Sequence, residues 1–269
     1  HMAEFRVVGR LGQTLGPMAT GGDHLEVIET PDGPTVVSLS GQGGGLVTLS
    51  FGAGGQAIVS DTQVLPDGVT AFANRTFSTI STQNGDFVAV SNPNDNQLLT
   101  YQITGSSIGP SVMFGGTGIS AADGAIYEVS GNGYLFAAGA DSTLRAFQPA
   151  GGGGGGNFNA GQVTRDNGST FLADPAAIEN LSVGAADFVI TASDSDTGVS
   201  VFRVDPGTGN VTQTGAMGAE LGLGLFARVA DMETVAIDGT GYVLVLTRPE
   251  SGTGAALSVI STRLKAPCR

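Results

Sequence analysis

The chain has 269 residues, 44 of them glycine, and carries 24 acidic against 11 basic side chains for a formal net charge of −13. Such a surface repels nucleic-acid phosphates and anionic lipid, and no basic stripe interleaved with aromatics is present, so no nucleic acid and no membrane is expected as a partner. No apolar run reaches membrane-spanning length, and the single cysteine, Cys268, permits neither an internal disulfide nor a cysteine-rich metal site.

His1-Met2 reads as a cloning remnant, and residues 3–269 as a single domain. No dozen residues carry the 3.6 periodicity of a helix. Short β-branched and aromatic runs, bounded by Gly, Asp, Asn and Pro, follow one another instead. In chain order they fall at 25–28, 35–39 and 46–51, then at 77–80, 87–90 and 98–103, then at 126–129, 134–138 and 144–147. Next come 178–183, 188–192, 199–204 and 211–217, the clearest set, and finally 232–235, 242–246 and 256–260.

Aligned on the first run of each set, Glu26, Ser78, Tyr127, Glu179 and Glu233 correspond, and the pattern recurs about every fifty residues. A four-stranded antiparallel meander cannot cover both its faces alone, whereas copies packed in a ring can. The fold class expected is therefore all-β: a five-bladed β-propeller with blades beginning near residues 24, 76, 125, 177 and 231. The last set has only three runs. Val7-Val8-Gly9-Arg10-Leu11-Gly12 resembles Gln213-Thr214-Gly215-Ala216-Met217-Gly218, so the N-terminal strand is expected to close the ring against the C-terminal blade. Closure removes open sheet edges and their unpaired backbone groups. Gly151 to Gly156, six glycines running, reads as a surface hairpin loop and lacks the Lys-Ser/Thr of a phosphate cradle.

The first strand of each blade lines the channel. Glu26, Glu128, Glu179 and Glu233 fall at or beside its start, near one mouth, and form the candidate ligand site. Converging carboxylates repel one another unless donors or a cation balance them. Oxygen-rich rings suit Ca²⁺ or Mg²⁺, and Glu26, Glu179 and Glu233 are the candidate ligands, for Ca²⁺ first. The competing reading has each Glu tie neighbouring blades through backbone N–H groups. His24 and Arg75, with Glu179 or Glu233, could form an acid–base cluster acting on an ester or lactone. The turns at 194–196, 92–96 and 140–142 offer Asp and Asn oxygens, though such residues mostly bond their own backbone.

The segment 187–212, from Asp187-Phe-Val-Ile-Thr-Ala-Ser-Asp-Ser-Asp through Val211-Thr212, resembles a blade of the lactonase-like propellers. That resemblance implies a His24, Arg75 and channel-Glu set and hydrolysis of a lactone or ester; the family usually has seven blades. Met232-Glu-Thr-Val235 followed by Gly241-Tyr-Val-Leu-Val245 is similar to the N-terminal propellers of bacterial type I-secreted, repeats-in-toxin proteins. This second resemblance implies export from a bacterium and Ca²⁺ outside the cell. Two functions follow as expectations. The leading one is a non-catalytic binding or scaffold module for a small-molecule, carbohydrate or protein partner. The alternative is a lactonase-like hydrolase.

Overall fold

The computed structural model describes residues 22–40, 45–53, 56–65, 77–82, 85–92, 97–114, 126–129, 134–139, 141–149, 158–218, 228–248 and 256–262. The N-terminal strand at 7–12, Arg75, the glycine run and Cys268 lie outside these residues. Every regular element described is a β-strand, and the strands form five antiparallel sheets in chain order.

Sheet one holds β1 (Gly22–Thr30), β2 (Gly33–Ser40), β3 (Gly45–Phe51) and β4 (Ala57–Val64). Sheet two holds β5 (Phe77–Thr82), β6 (Gly85–Asn92), β7 (Gln97–Thr104) and β8 (Ser107–Phe114). Sheet three holds β9 (Ile126–Val129), β10 (Leu135–Gly139), β11 (Thr143–Pro149) and β12 (Phe158–Arg165). Sheet four holds β13 (Pro175–Val183), β14 (Ala186–Ser193), β15 (Gly198–Val204) and β16 (Val211–Gly218). Sheet five holds β17 (Arg228–Ile237), β18 (Thr240–Arg248) and β19 (Ala256–Thr262). Each is a meander, and the first strands of successive sheets are neighbours: β1 with β5, β5 with β9, β9 with β13, β13 with β17.

The turns explain the hairpins. Between β17 and β18, Asp238 and Gly239 both adopt positive φ, at 49° and 74°. That is the two-residue turn whose twist matches antiparallel strands, and Asp-Gly suits it. Between β15 and β16, the Asp205 carboxylate accepts from the N–H groups of Gly207 and Thr208 and from the Thr208 hydroxyl, at 2.9, 2.9 and 3.0 Å. The Thr208 hydroxyl, then the two backbone donors, hold this exposed carboxyl below its usual range.

Sheet four shows why its strands read as unbroken apolar runs. Phe202, Val204 and Val189 pack on one side with Tyr134, Phe136 and Leu172. Val199, Ile190 and Ala192 pack on the other with Met232, Val243 and Val245 of sheet five. Both faces are dry, so alternation with polar residues is lost. Sheets one and two meet likewise through Val37, Leu39 and Leu46 against Val88, Val90 and Tyr101.

Polar contacts lock adjacent sheets where the apolar layers end. Thr35 donates to the Gly105 carbonyl at 3.1 Å, and Asp61 accepts from the Ile108 N–H at 2.9 Å. Tyr134 donates its hydroxyl to the Pro206 carbonyl at 2.9 Å. Gln162 bonds both backbone groups of Val211, at 2.6 and 3.1 Å. Asp194 accepts from the Val229 N–H at 2.6 Å. Each such bond satisfies a backbone group that burial would otherwise strand.

Candidate functional site

The sheet registers place the candidate carboxylates more sharply than sequence spacing does. Glu26 pairs with Val37, Ser78 with Ala89, Glu179 with Ile190 and Glu233 with Leu244. In each case the partner lies two residues after the residue that opens the run read from the sequence for the second strand: Thr35, Phe87, Phe188 or Tyr242. In sheet three the residue two after Tyr134 is Phe136, and its partner is Glu128. The equivalent of Glu26 is therefore Glu128 and not its neighbour Tyr127. Four glutamates and one serine occupy a single register position in the five first strands.

A second correction concerns depth along the strand. β1, β13 and β17 begin several residues before the apolar runs suggest, so Glu26, Glu179 and Glu233 lie mid-strand. The register breaks at the same place in all three, between Gly22 and His24, Pro175 and Ala177, and Val229 and Asp231. Each break falls three residues before the glutamate. A bulge inserts one residue and bends the strand, so the alternation that marks a strand in sequence starts only after it.

Glu26 and Glu233 belong to the first and last of these strands, yet they act on each other. The Glu26 carboxyl is raised from its ordinary value, first by loss of hydration and then by the negative charge of Glu233. The Glu26 side chain keeps open surface. β1 and β17 are the two ends of the series of first strands. Glu179 is half-buried and already interacts with a neighbouring group. Close by, Thr234 donates to the Asn180 carbonyl and ties β17 to β13.

His24 lies on β1, two residues before Glu26, with its backbone paired to Leu39. Arg75 is outside the described residues, as is the side chain of Glu128. Among the described residues no three His, Cys, Asp or Glu side chains are arranged to hold a metal ion.

The acidic turns are occupied by the fold. Asp194 holds the Val229 N–H, and Asp196 accepts from the Ala173 N–H at 2.8 Å. Asp141 accepts from the Thr143 hydroxyl at 2.5 Å and pairs with Arg145 at 2.6 Å. Residues 93–96 of the third turn are outside the described set. No helix of the described residues is long and apolar enough to cross a membrane.

The fold has solved counterparts. A putative 6-phosphogluconolactonase from Bacteroides fragilis superposes with a TM-score of 0.54 at 15% identity, over 90% of this chain and 70% of that one. A second, from Bacteroides uniformis, gives 0.53 at 12% identity over 85% and 67%. A functionally unknown protein from Desulfotomaculum acetoxidans gives 0.53 at 16% identity over 88% and 76%. At such identities the likeness is one of fold, and it supports a lactonase-like propeller architecture. No family model and no curated protein matches the chain.

Proposed function

We propose that this propeller hydrolyses a lactone or ester at the wall of its channel, with Glu26 and Glu233 as the acid–base pair. The observation that carries this is the single register position that Glu26 and Glu233 share on the first strands of their sheets, with the Glu26 carboxyl raised in part by the Glu233 charge. A carboxyl whose proton affinity is raised beside another carboxyl can serve as the proton donor while its neighbour serves as the acceptor. Glu233 is the proposed base: it takes a proton from water as the water oxygen attacks the lactone carbonyl carbon. Glu26, protonated, gives its proton to the ring oxygen as the carbon–oxygen bond breaks. The product is the open hydroxy acid, and one proton passes back from Glu233 to Glu26. His24, on the same strand as Glu26, and Arg75 are the hydrogen-bond donors proposed to bind the developing oxyanion. The names given to two solved counterparts support the substrate class.

The test is hydrolysis of glucono-δ-lactone, followed by acid release above the spontaneous rate. Glu26→Gln and Glu233→Gln should each lower kcat/KM by about 10² to 10⁴, the usual worth of a general acid or base. Rates equal to wild type in both variants would overturn the assignment.

A second reading is binding without turnover, with a sugar-like ligand or Ca²⁺ held by the same glutamates. The recurrence of Glu at one register in four of five sheets favours it. A thermal shift with gluconate or Ca²⁺, lost in Glu233→Gln and unaccompanied by hydrolysis, would select this reading.

A further inference from the structure

Residues 166–174 connect sheet three to sheet four and are tied down by side chains. The Asp166 carboxylate accepts from the Thr170 hydroxyl at 3.0 Å and from the Leu172 N–H at 3.3 Å. Ser200 donates to the Thr170 carbonyl, and Gln213 donates to the Ser169 carbonyl. Leu172 is buried in the apolar layer between the two sheets. The bend at Asn167-Gly168-Ser169, by contrast, is exposed throughout.

Three features of this bend favour one reaction. Gly168 has φ of 73°, and a Cβ built there would meet nothing within 4 Å, so its nitrogen is unshielded. Among the described residues none accepts from the Gly168 N–H. The Ser169 N–H and the Ser169 hydroxyl both donate to Asn167 Oδ1, at 3.1 and 2.7 Å. Two donors on that oxygen draw charge from the amide carbon Cγ and stabilise negative charge as it develops.

We propose that Asn167 is a site of spontaneous deamidation, and that the change loosens the connector between sheets three and four. The Gly168 nitrogen attacks Cγ and gives its proton to solvent, and the new C–N bond closes a cyclic imide. Asn167 Oδ1 carries the transient negative charge under the two Ser169 donors. The bond from Cγ to Nδ2 then breaks, and that nitrogen takes a proton and leaves as ammonia. Water opens the imide at one carbonyl to give aspartate, or at the other to give isoaspartate, with the chain rerouted through Cγ. Water is the only co-reactant, and nothing is oxidised or reduced. Aspartate sets a second carboxylate beside Asp166, and like charges repel. Isoaspartate lengthens the backbone and displaces the Ser169 and Thr170 carbonyls from Gln213 and Ser200.

Other asparagines of the same chain serve as controls. The N–H that follows Asn210 belongs to Val211 and is held by Gln162 at 2.6 Å. The residue after Asn180 is Leu181, buried and paired with Phe188 in the ladder.

The test keeps the folded chain at mildly alkaline pH for days, then cleaves it after arginine. Peptide 166–203 carries Asn167 and Asn180, and peptide 204–228 carries Asn210. Mass spectrometry should find Asn167 converted about tenfold faster than the other two, since it alone joins an unshielded nitrogen to two oxyanion donors. Ser169→Ala removes one donor. It should slow conversion of Asn167 severalfold in the folded chain and leave the rate in the isolated 166–203 peptide unchanged. Equal conversion at the three asparagines, or a folded-chain rate unaltered by Ser169→Ala, would overturn the proposal. In the converted fraction, hydrogen exchange at Leu172 should be faster, and unchanged exchange there would overturn the loosening.

Discussion

At the scale of single residues, the fold depends on a few sites where backbone and ring meet. Gly209 has φ of 69°, and a Cβ there would lie 2.5 Å from the Tyr134 ring. Gly209→Ala therefore combines a left-handed backbone with overpacking and should cost about 1–3 kcal/mol, read in a denaturant melt. A cost under half of that would mean the ring has room to move. Glu26 supplies a pH effect with a definite sign. Its carboxyl is raised in the folded chain above the ordinary 4.5. The folded state then binds that proton more tightly than the unfolded state, so stability falls as pH rises from about 4.5 through the folded value. Glu26→Gln removes this loss. Its Tm should exceed that of wild type at pH 7, and its Tm profile above pH 4.5 should be flatter. Parallel profiles for the two proteins would contradict the assignment.

At the scale of elements, the second to fourth strands of sheet four were legible to within two residues, because Pro206, the Asp-rich turn and paired apolar faces bound them. The first strands were not. Their upstream ends lie beyond a bulge, and a bulge erases the alternation by which a strand is read. The third blade misled for a related reason. Spacing alone cannot tell Tyr127 from Glu128, and only the pairing of Phe136 with Glu128 decides. The acidic turns show the opposite balance, since Asp194 and Asp196 hold backbone N–H groups as turn residues usually do. Asp194→Ala leaves the Val229 N–H without this acceptor and should cost about 1–3 kcal/mol. The loss should appear as faster hydrogen exchange at Val229 and its neighbours in β17. Unchanged exchange there would show that the contact between sheets four and five does not depend on this bond.

At the scale of the whole molecule, five sheets repeat one plan: a first strand carrying a glutamate or serine at fixed register, and a second strand that supplies buried apolar residues. The fifty-residue period was visible in the sequence because each blade spends its glycine, proline and aspartate at the same turns. The site was legible only in part. Glu26 and Glu233 stand far apart in the chain, and no spacing rule relates them; the negative charge of Glu233 acting on Glu26 does. The proposed chemistry rests on that coupling.

The most direct test is a carboxyl-carbon NMR titration of Glu26 in the wild-type chain and in Glu233→Gln. The Glu26 midpoint should lie above 4.5 in the wild type and move down when the Glu233 charge is removed. A midpoint that does not move would show that the first and last sheets do not bring these carboxyls together, and would contradict both the arrangement and the proposed chemistry.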